Sequence, residues 1–435
     1  MSARVGAPRA AGLAIFGMLA LTIAGAVWPA VPPMAPAVLA WVALAVLWAG
    51  VGRRQQVQVL AFIAAGLGAF LWGVSHGAPL RVDSLLGQNQ PILSMLASIT
   101  LLRLLNRPPR VGDAELPRGL GAYLQSMLGV HAFGSVINIS AVIIMSDRLA
   151  RVRPLGFDQA QLFSRAFSTV AFYSPFIGGV ALALSYTPGS SPVVMMLFGA
   201  PLAAAACLWL YWHARSGRAG DIESFRGYPL QPADLKIPLT LGAGVLVAAA
   251  ALPGYSVLAL ITMVTPALVL AVLLKRRGPG GLRPALAEYV ETRAPQMGGE
   301  LALFLGAGVL AAGVVAAAAG AGGWLLFARL DAFHASLLVL AFVVTSLACI
   351  HPAVLVGVTV ALLETVELDP TLLATTFAMG WGLGCVVNPL SGVNVVLATR
   401  YGANNWRIAR SNVAFSAALY VVAVGLLYLY EHTRL

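Results

Sequence analysis

The apolar positions of this chain fall in long runs separated by short polar breaks. Runs near the length of a membrane span lie at Leu13–Val31, Ala35–Val51, Val57–Val74, Ile92–Leu105, Leu120–Met145, Gln161–Tyr186, Pro192–Trp212, Ile237–Leu252, Tyr255–Leu274, Leu301–Ala318, Ala335–Leu363, Leu372–Thr399 and Val413–Tyr430. Such runs predict helices, and about 20 apolar residues suffice to cross a bilayer. The longest polar stretches, His213–Lys236 and Lys275–Gln296, read as loops too short to hold a soluble catalytic or nucleotide-binding module. The pattern predicts an all-α polytopic membrane protein with about 11–13 hydrophobic segments. Four segments follow: N-terminal transmembrane helices over 1–80, a first repeat over 81–213, connecting helices and cytoplasmic loops over 214–296, and a second, inverted repeat over 297–435.

Composition agrees. Of 435 residues, 59% are hydrophobic and 10% charged, whereas a soluble domain carries about 25% charged residues. The net charge of +11 would point to nucleic acid in a soluble protein. Here the arginines sit in short loops between apolar runs, where they orient helices in a lipid bilayer, and no nucleic-acid partner is expected. Cys207, Cys349 and Cys385 lie far apart in apolar runs and suggest neither a disulfide framework nor a zinc site. Met1–Ala30 has the outline of a signal peptide, with Arg4 and Arg9 ahead of an apolar stretch. Further runs follow at once, so an uncleaved first helix is the expectation.

The basic loops predict a bacterial inner-membrane protein with a cytoplasmic N-terminus. Arg53-Arg54, the loop Arg103–Arg118, the stretch holding Arg215, Arg218, Arg226 and Lys236, and Lys275-Arg276-Arg277 all fall on that side by parity. Leu120–Met145 has basic residues at both ends, Arg118 before it and Arg148, Arg151 and Arg153 after it. A single span cannot satisfy that; a re-entrant hairpin can. Ala335–Leu363 is flanked by Arg329 and Asp331 at one end and by Glu364, Glu367 and Asp369 at the other, which reads as a hairpin entered from outside. The two hairpins stand about 220 residues apart, each followed by a long apolar run broken at proline, as inverted-repeat carriers are built. At a spacing of 220 His131 aligns with His351, and at 214 Pro175 and Gly178 of the next run align with Pro389 and Gly392.

Backbone broken inside a membrane survives only where protein or a water-filled site satisfies it. The breaks are Tyr173-Ser174-Pro175-Phe176-Ile177-Gly178-Gly179 and Val387-Asn388-Pro389-Leu390-Ser391-Gly392. Half-helix N-termini point N–H groups and a positive dipole end at one spot, which suits a carboxylate, while freed carbonyls suit Na+. The alternative is a proline kink relieved by a neighbouring serine. Asn138, Ser140, Ser174, Pro175, Gly178, Asn388, Pro389, Ser391, Gly392 and Asn394 are therefore the candidate substrate-binding residues, with Na+ near Asn138 and Asn388. The amides serve equally for interhelical hydrogen bonds. His131, His351 and Glu300 are candidates for a coupling H+ or Na+, or plain hydrogen-bonding and interfacial residues. Arg165 reads as a residue that snorkels to the cytoplasmic face.

Enzyme signatures are thin. Gly73-Val74-Ser75-His76-Gly77 matches G-x-S-x-G, but that motif needs a strand–turn–helix setting, whereas here it ends an apolar run. No catalytic residue or organic cofactor is assigned, and no ring of charges suggests a channel filter. The layout over Ile92–Tyr430 resembles the ion transporter superfamily of secondary carriers, including the divalent anion/Na+ symporters and TRAP membrane subunits. Where the symporters carry Ser-Asn-Thr at their hairpin tips, the nearest stand-ins are Asn138-Ile139-Ser140 and Asn388-Pro389-Leu390-Ser391. The resemblance implies elevator-type transport of a small anionic solute coupled to Na+ or H+, and a possible homodimer. The rivals are a proton-driven exporter of a small compound and a non-transporting membrane enzyme or assembly factor.

Overall fold

A computed structural model describes residues 3–105, 116–231, 235–322, 327–363 and 365–433. The tip of the basic loop Arg103–Arg118 and Glu364 lie outside the described residues. The helices are α1 (Ala3–Val27), α2 (Met34–Leu47), α3 (Arg53–Ser75), α4 (Val82–Gly87), α5 (Gln90–Thr100), α6 (Gly119–Ile137), α7 (Ser140–Ala150), α8 (Phe157–Val170), α9 (Gly178–Tyr186) and α10 (Pro192–Arg215). They continue with α11 (Lys236–Ala251), α12 (Val257–Glu288), α13 (Gly298–Gly320), α14 (Ala332–Leu347), α15 (Pro352–Leu362), α16 (Pro370–Val387), α17 (Gly392–Tyr401), α18 (Asn405–Ser411) and α19 (Val413–Thr433). No strand occurs among the described residues, and 7 helical stretches are long and apolar enough to cross a membrane. The chain is an all-α polytopic membrane protein.

The sequence segments regroup into two compact units, each discontinuous in sequence. The first comprises Met1–Pro108, Ala243–Ala328 and Val356–Val366; the second comprises Pro109–Gly242, Arg329–Leu355 and Glu367–Leu435.

In the first unit α3 and α13 lie side by side and run parallel: Val59 meets Gly306, Gly66 meets Gly313 and Gly73 meets Gly320. The approach is backbone to backbone. A Cβ on Gly313 would stand 2.0 Å from the Gly66 carbonyl oxygen, and one on Gly73 2.2 Å from that of Ala316. In an apolar solvent helices gain nothing by hiding apolar surface from each other, so close packing over small residues holds them. The G-x-S-x-G match is part of this seam; it ends α3, and no strand precedes it. Several buried polar groups of this unit pair with one another: Gln90 Nε2 donates to Thr22 and Ser94, and Asn89 Nδ2 to the Phe304 carbonyl.

The stretch expected as a polar loop from Lys275 is helical as far as Glu288. Only Gly278, at φ 66° and ψ 179°, interrupts it. The helix restarts because Ala285 and Tyr289 are buried beyond the break, with Tyr289 Oη donating to the Ala97 carbonyl at 2.9 Å.

The second unit contains the first hairpin region, the second as far as Leu355, and both breaks. After α6 the chain reverses at Asn138, whose backbone lies at positive φ (55°, with ψ −145°). The chain then returns as α7, with Met145 Cε 3.1 Å from where a Cβ on Gly129 would lie. The predicted doubling back is present here. At the second region Cys349, also at positive φ (66°), follows the C-cap Ala348 of α14. The continuation differs: α15 is divided, its first residues as far as Leu355 belonging to the second unit and those from Val356 to the first.

In both regions the helix before the turn lies parallel to the broken helix that follows. His131 faces Thr169 and Asn138 faces Phe176; Phe342 faces Gly380 and Ile350 faces Asn388. The two broken helices run in opposite directions. Gly382 of α16 packs on Ser168 of α8, while the Ser191 N–H beyond α9 donates to Thr371 Oγ1 at the start of α16. Asp369 sets that start, its Oδ1 accepting from the Thr371 and Leu372 N–H groups ahead of the rigid Pro370. The alignment of His131 with His351 does not hold. His131 lies within α6, seven residues before the reversal, whereas His351 lies two residues past Cys349.

Candidate functional site

The residue before each break proline ties its break to its own hairpin region. Ser174 Oγ donates to the Ser135 carbonyl, and Asn388 Nδ2 donates to the Ile350 carbonyl at 3.0 Å. A helix interrupted at proline loses main-chain bonds, and a short polar side chain beside it replaces them. That need explains why Ser and Asn stand here in an otherwise apolar stretch.

At the second break the freed carbonyls are already taken. Asn394 Nδ2 donates to the Asn388 oxygen (2.9 Å), Asn405 Nδ2 to the Pro389 oxygen (2.8 Å) and Asn412 Nδ2 to the Val386 oxygen (3.0 Å). The Asn388 amide oxygen accepts from the Leu390 N–H at 2.8 Å, and that of Asn138 from the Ile139 N–H at 2.7 Å. The carbonyls and amide oxygens expected to receive Na+ thus serve the protein's own donors, because bare acceptors in an apolar interior are costly.

One group at this break is unspent. Ser391 Oγ is buried, has no hydrogen-bond partner, and makes no cap bond although Ser391 is the N-cap of α17. The next residue, Gly392, is exposed, while Asn394 is fully buried. The first N–H groups of a helix have no partner within it and carry its positive dipole end. The start of α17 is therefore reachable and rich in donors. The first break is closed by comparison: Gly178 and Gly179 are buried, and a Cβ on Gly179 would stand 2.1 Å from the Trp381 ring. The first hairpin tip reaches the open break, with Ile139 Cδ1 3.7 Å from the Cβ position of Gly392. Ser140 is buried at the start of α7, on that tip. The structure thus brings Asn138, Ser140, Asn388, Pro389, Ser391, Gly392 and Asn394 into one neighbourhood, with Ser174, Pro175 and Gly178 forming the closed counterpart.

The three coupling candidates separate. His131 sits among Tyr173 Oη (3.2 Å from Nδ1), Thr169 Oγ1 (3.3 Å from Nε2) and Cys207 Sγ (3.4 Å from Nε2). His351 Nδ1 accepts from the Ala353 N–H at 3.2 Å, a cap at the start of α15. Glu300 lies in the first turn of α13 and belongs to the first unit.

Arg165 does not snorkel. It is 6% exposed; Nε donates to Asn412 Oδ1 at 2.7 Å and Nη2 to the Ser411 carbonyl at 2.9 Å. Its guanidinium also lies 5.0 Å from the Trp209 ring centroid and 5.4 Å from that of Phe415. Cation–π contact and charge-assisted hydrogen bonds keep it inside the unit, against the pull of the aqueous face. Ser164, Asn405 and Asn412 were missed as site residues. The available signal was their polarity next to long apolar runs, which alone does not say which face they take. No protein-family model matches the chain, and comparison with curated proteins gives no match.

Proposed function

We propose that this chain is a cation-coupled secondary carrier of the inner membrane, with its N-terminus in the cytoplasm, that moves a small anionic, carboxylate-like solute. The observation that carries this reading is the start of α17, where an exposed Gly392 adjoins a buried, unpartnered Ser391 hydroxyl on a proline-broken helix. Helix N-termini of this kind receive anions in membrane carriers with broken helices. Two copies running in opposite directions, each with a hairpin region tied to its break, support an elevator-type carrier of the ion transporter kind. This reading involves no bound prosthetic group and admits a homodimer.

The test is solid-supported-membrane current from proteoliposomes supplied with acetate, succinate, sulfate or amino acids, with Na+, with a pH gradient, and with neither. Current for one anion class, requiring one of the two cation gradients, is the expected result. Ser391→Ala is the sharp variant. It removes a hydroxyl that satisfies nothing in the protein, so thermal stability is expected to hold or rise, while half-saturation by the anion rises about tenfold. Unchanged transport in that variant places the site elsewhere. Silence for every anion, in both current and tracer flux, removes the reading in favour of a non-transport role.

A further inference from the structure

A directed chain of hydrogen bonds connects the buried Arg165 to the open break. Arg165 Nε donates to Asn412 Oδ1 (2.7 Å), Asn412 Nδ2 to Ser164 Oγ (3.3 Å), Ser164 Oγ to Asn394 Oδ1 (2.7 Å) and Asn394 Nδ2 to the Asn388 carbonyl (2.9 Å). Every member accepts on the side facing the arginine and donates on the side facing the break. A cation at the head of such a chain polarises each link in one direction and sharpens the donors at its far end.

The cation itself has no counter-charge. No carboxylate pairs with Arg165 among the described residues; its partners are an amide oxygen, a main-chain carbonyl and two aromatic rings. A fixed charge buried in a membrane protein without an opposite charge is costly and marks function. The last donor of the chain is Asn394, in the first turn of the helix that the unpartnered Ser391 precedes, and its acceptor is the Asn388 carbonyl.

We propose that Arg165 is the selectivity charge of the α17 site: a solute anion bound at Ser391–Gly392 is its counter-charge, and the Asn412–Ser164–Asn394 chain conveys its field to the break. Arg165 does not touch the solute; it acts as a positioning charge that makes the site prefer a carboxylate over an uncharged molecule of the same shape. The proposal rests on the carrier reading and specifies the class of solute within it.

The experiment compares binding of succinate with binding of its uncharged diamide, succinamide, to the full chain in lipid nanodiscs. At the effective dielectric of a protein, one unit charge acting on another over about 10 Å changes affinity roughly tenfold. The unaltered protein is expected to prefer succinate by at least about that factor. Arg165→Met is expected to bring the preference close to one. Arg165→Lys, which keeps the charge but loses the forked donors, is expected to hold it within about threefold of the unaltered protein while lowering thermal stability. A merely structural arginine would weaken both ligands alike and leave their ratio unchanged.

Retention of the full preference in Arg165→Met overturns the proposal, as does its collapse in folded Arg165→Lys. If Arg165→Met does not fold, the lysine variant decides alone by the same criterion. Failure of the unaltered protein to bind succinate, acetate or sulfate overturns the carrier reading and takes this proposal with it. That result differs from anion selectivity that survives the loss of the arginine.

Discussion

Gly313→Leu is expected to eliminate folded protein, read as loss of the monodisperse peak after mild-detergent extraction. The Cβ alone would stand 2.0 Å from the Gly66 carbonyl oxygen and 2.7 Å from its carbon, both main-chain atoms of α3. A flexible side chain can rotate away from such a clash; a helix backbone moves only as a whole. Ordinary overpacking costs about 1–3 kcal/mol. Here the seam continues on both sides, at Gly306 against Val59 and Gly320 against Gly73, so relief at one point opens the others. The expected cost lies above about 4 kcal/mol, in the exceptional tail for single substitutions. Gly68→Leu on α3 is the control: nothing lies within 4 Å of its Cβ position, and a better helix former there should leave stability unchanged or higher. Survival of folded Gly313→Leu would show that the α3–α13 seam is looser than described.

The second large effect is at Asn412. Asn412→Leu is expected to destabilise the protein by about 3–5 kcal/mol, because it leaves a buried guanidinium without its closest acceptor. It also releases the Val386 carbonyl and the Ser164 hydroxyl, both buried partners of the same amide. Arg165→Met removes the charge together with its need for partners and should cost less, on the order of 1–3 kcal/mol, mainly for the acceptors it leaves behind. In the double variant Asn412→Leu/Arg165→Met the two effects should be far from additive, since the groups share one network. Thermal or denaturant unfolding of the four proteins measures the coupling. An Asn412→Leu variant milder than Arg165→Met would mean that the arginine is solvated by something other than this amide.

Much of the fold was legible because each layer of it rests on local chemistry. Apolar runs gave the helices, and proline beside Ser or Asn gave the breaks, since a helix cannot pass such a point without a replacement donor. The basic residues on both sides of Leu120–Met145 anticipated the reversal at Asn138. The reading failed where distant residues decide the outcome. Lys275–Gln296 looked like a loop because its charges and prolines are locally unfavourable to helix, yet buried Ala285 and Tyr289 hold most of it helical. His131 and His351 looked equivalent by spacing, but the turn residues Asn138 and Cys349 lie 211 residues apart rather than 220, so the two histidines fall on opposite sides of their turns. Among the candidate site residues, the amides at the second break stood out in the sequence as polar groups in an apolar run, and in the structure they bond main-chain groups. Their partners were not legible, since sequence separation says nothing about which carbonyl an amide meets.

The amino-acid sequence by itself determined the solvent of this protein, the helical class and the positions of both breaks, because those follow from the cost of exposing backbone and charge to lipid. Tertiary structure alone decided that Arg165 is buried, that the second break is open while Trp381 closes the first, and that Ser391 keeps a hydroxyl with no protein partner. These depend on which surfaces meet, and packing between residues far apart in the chain settles that, whatever the local pattern around each.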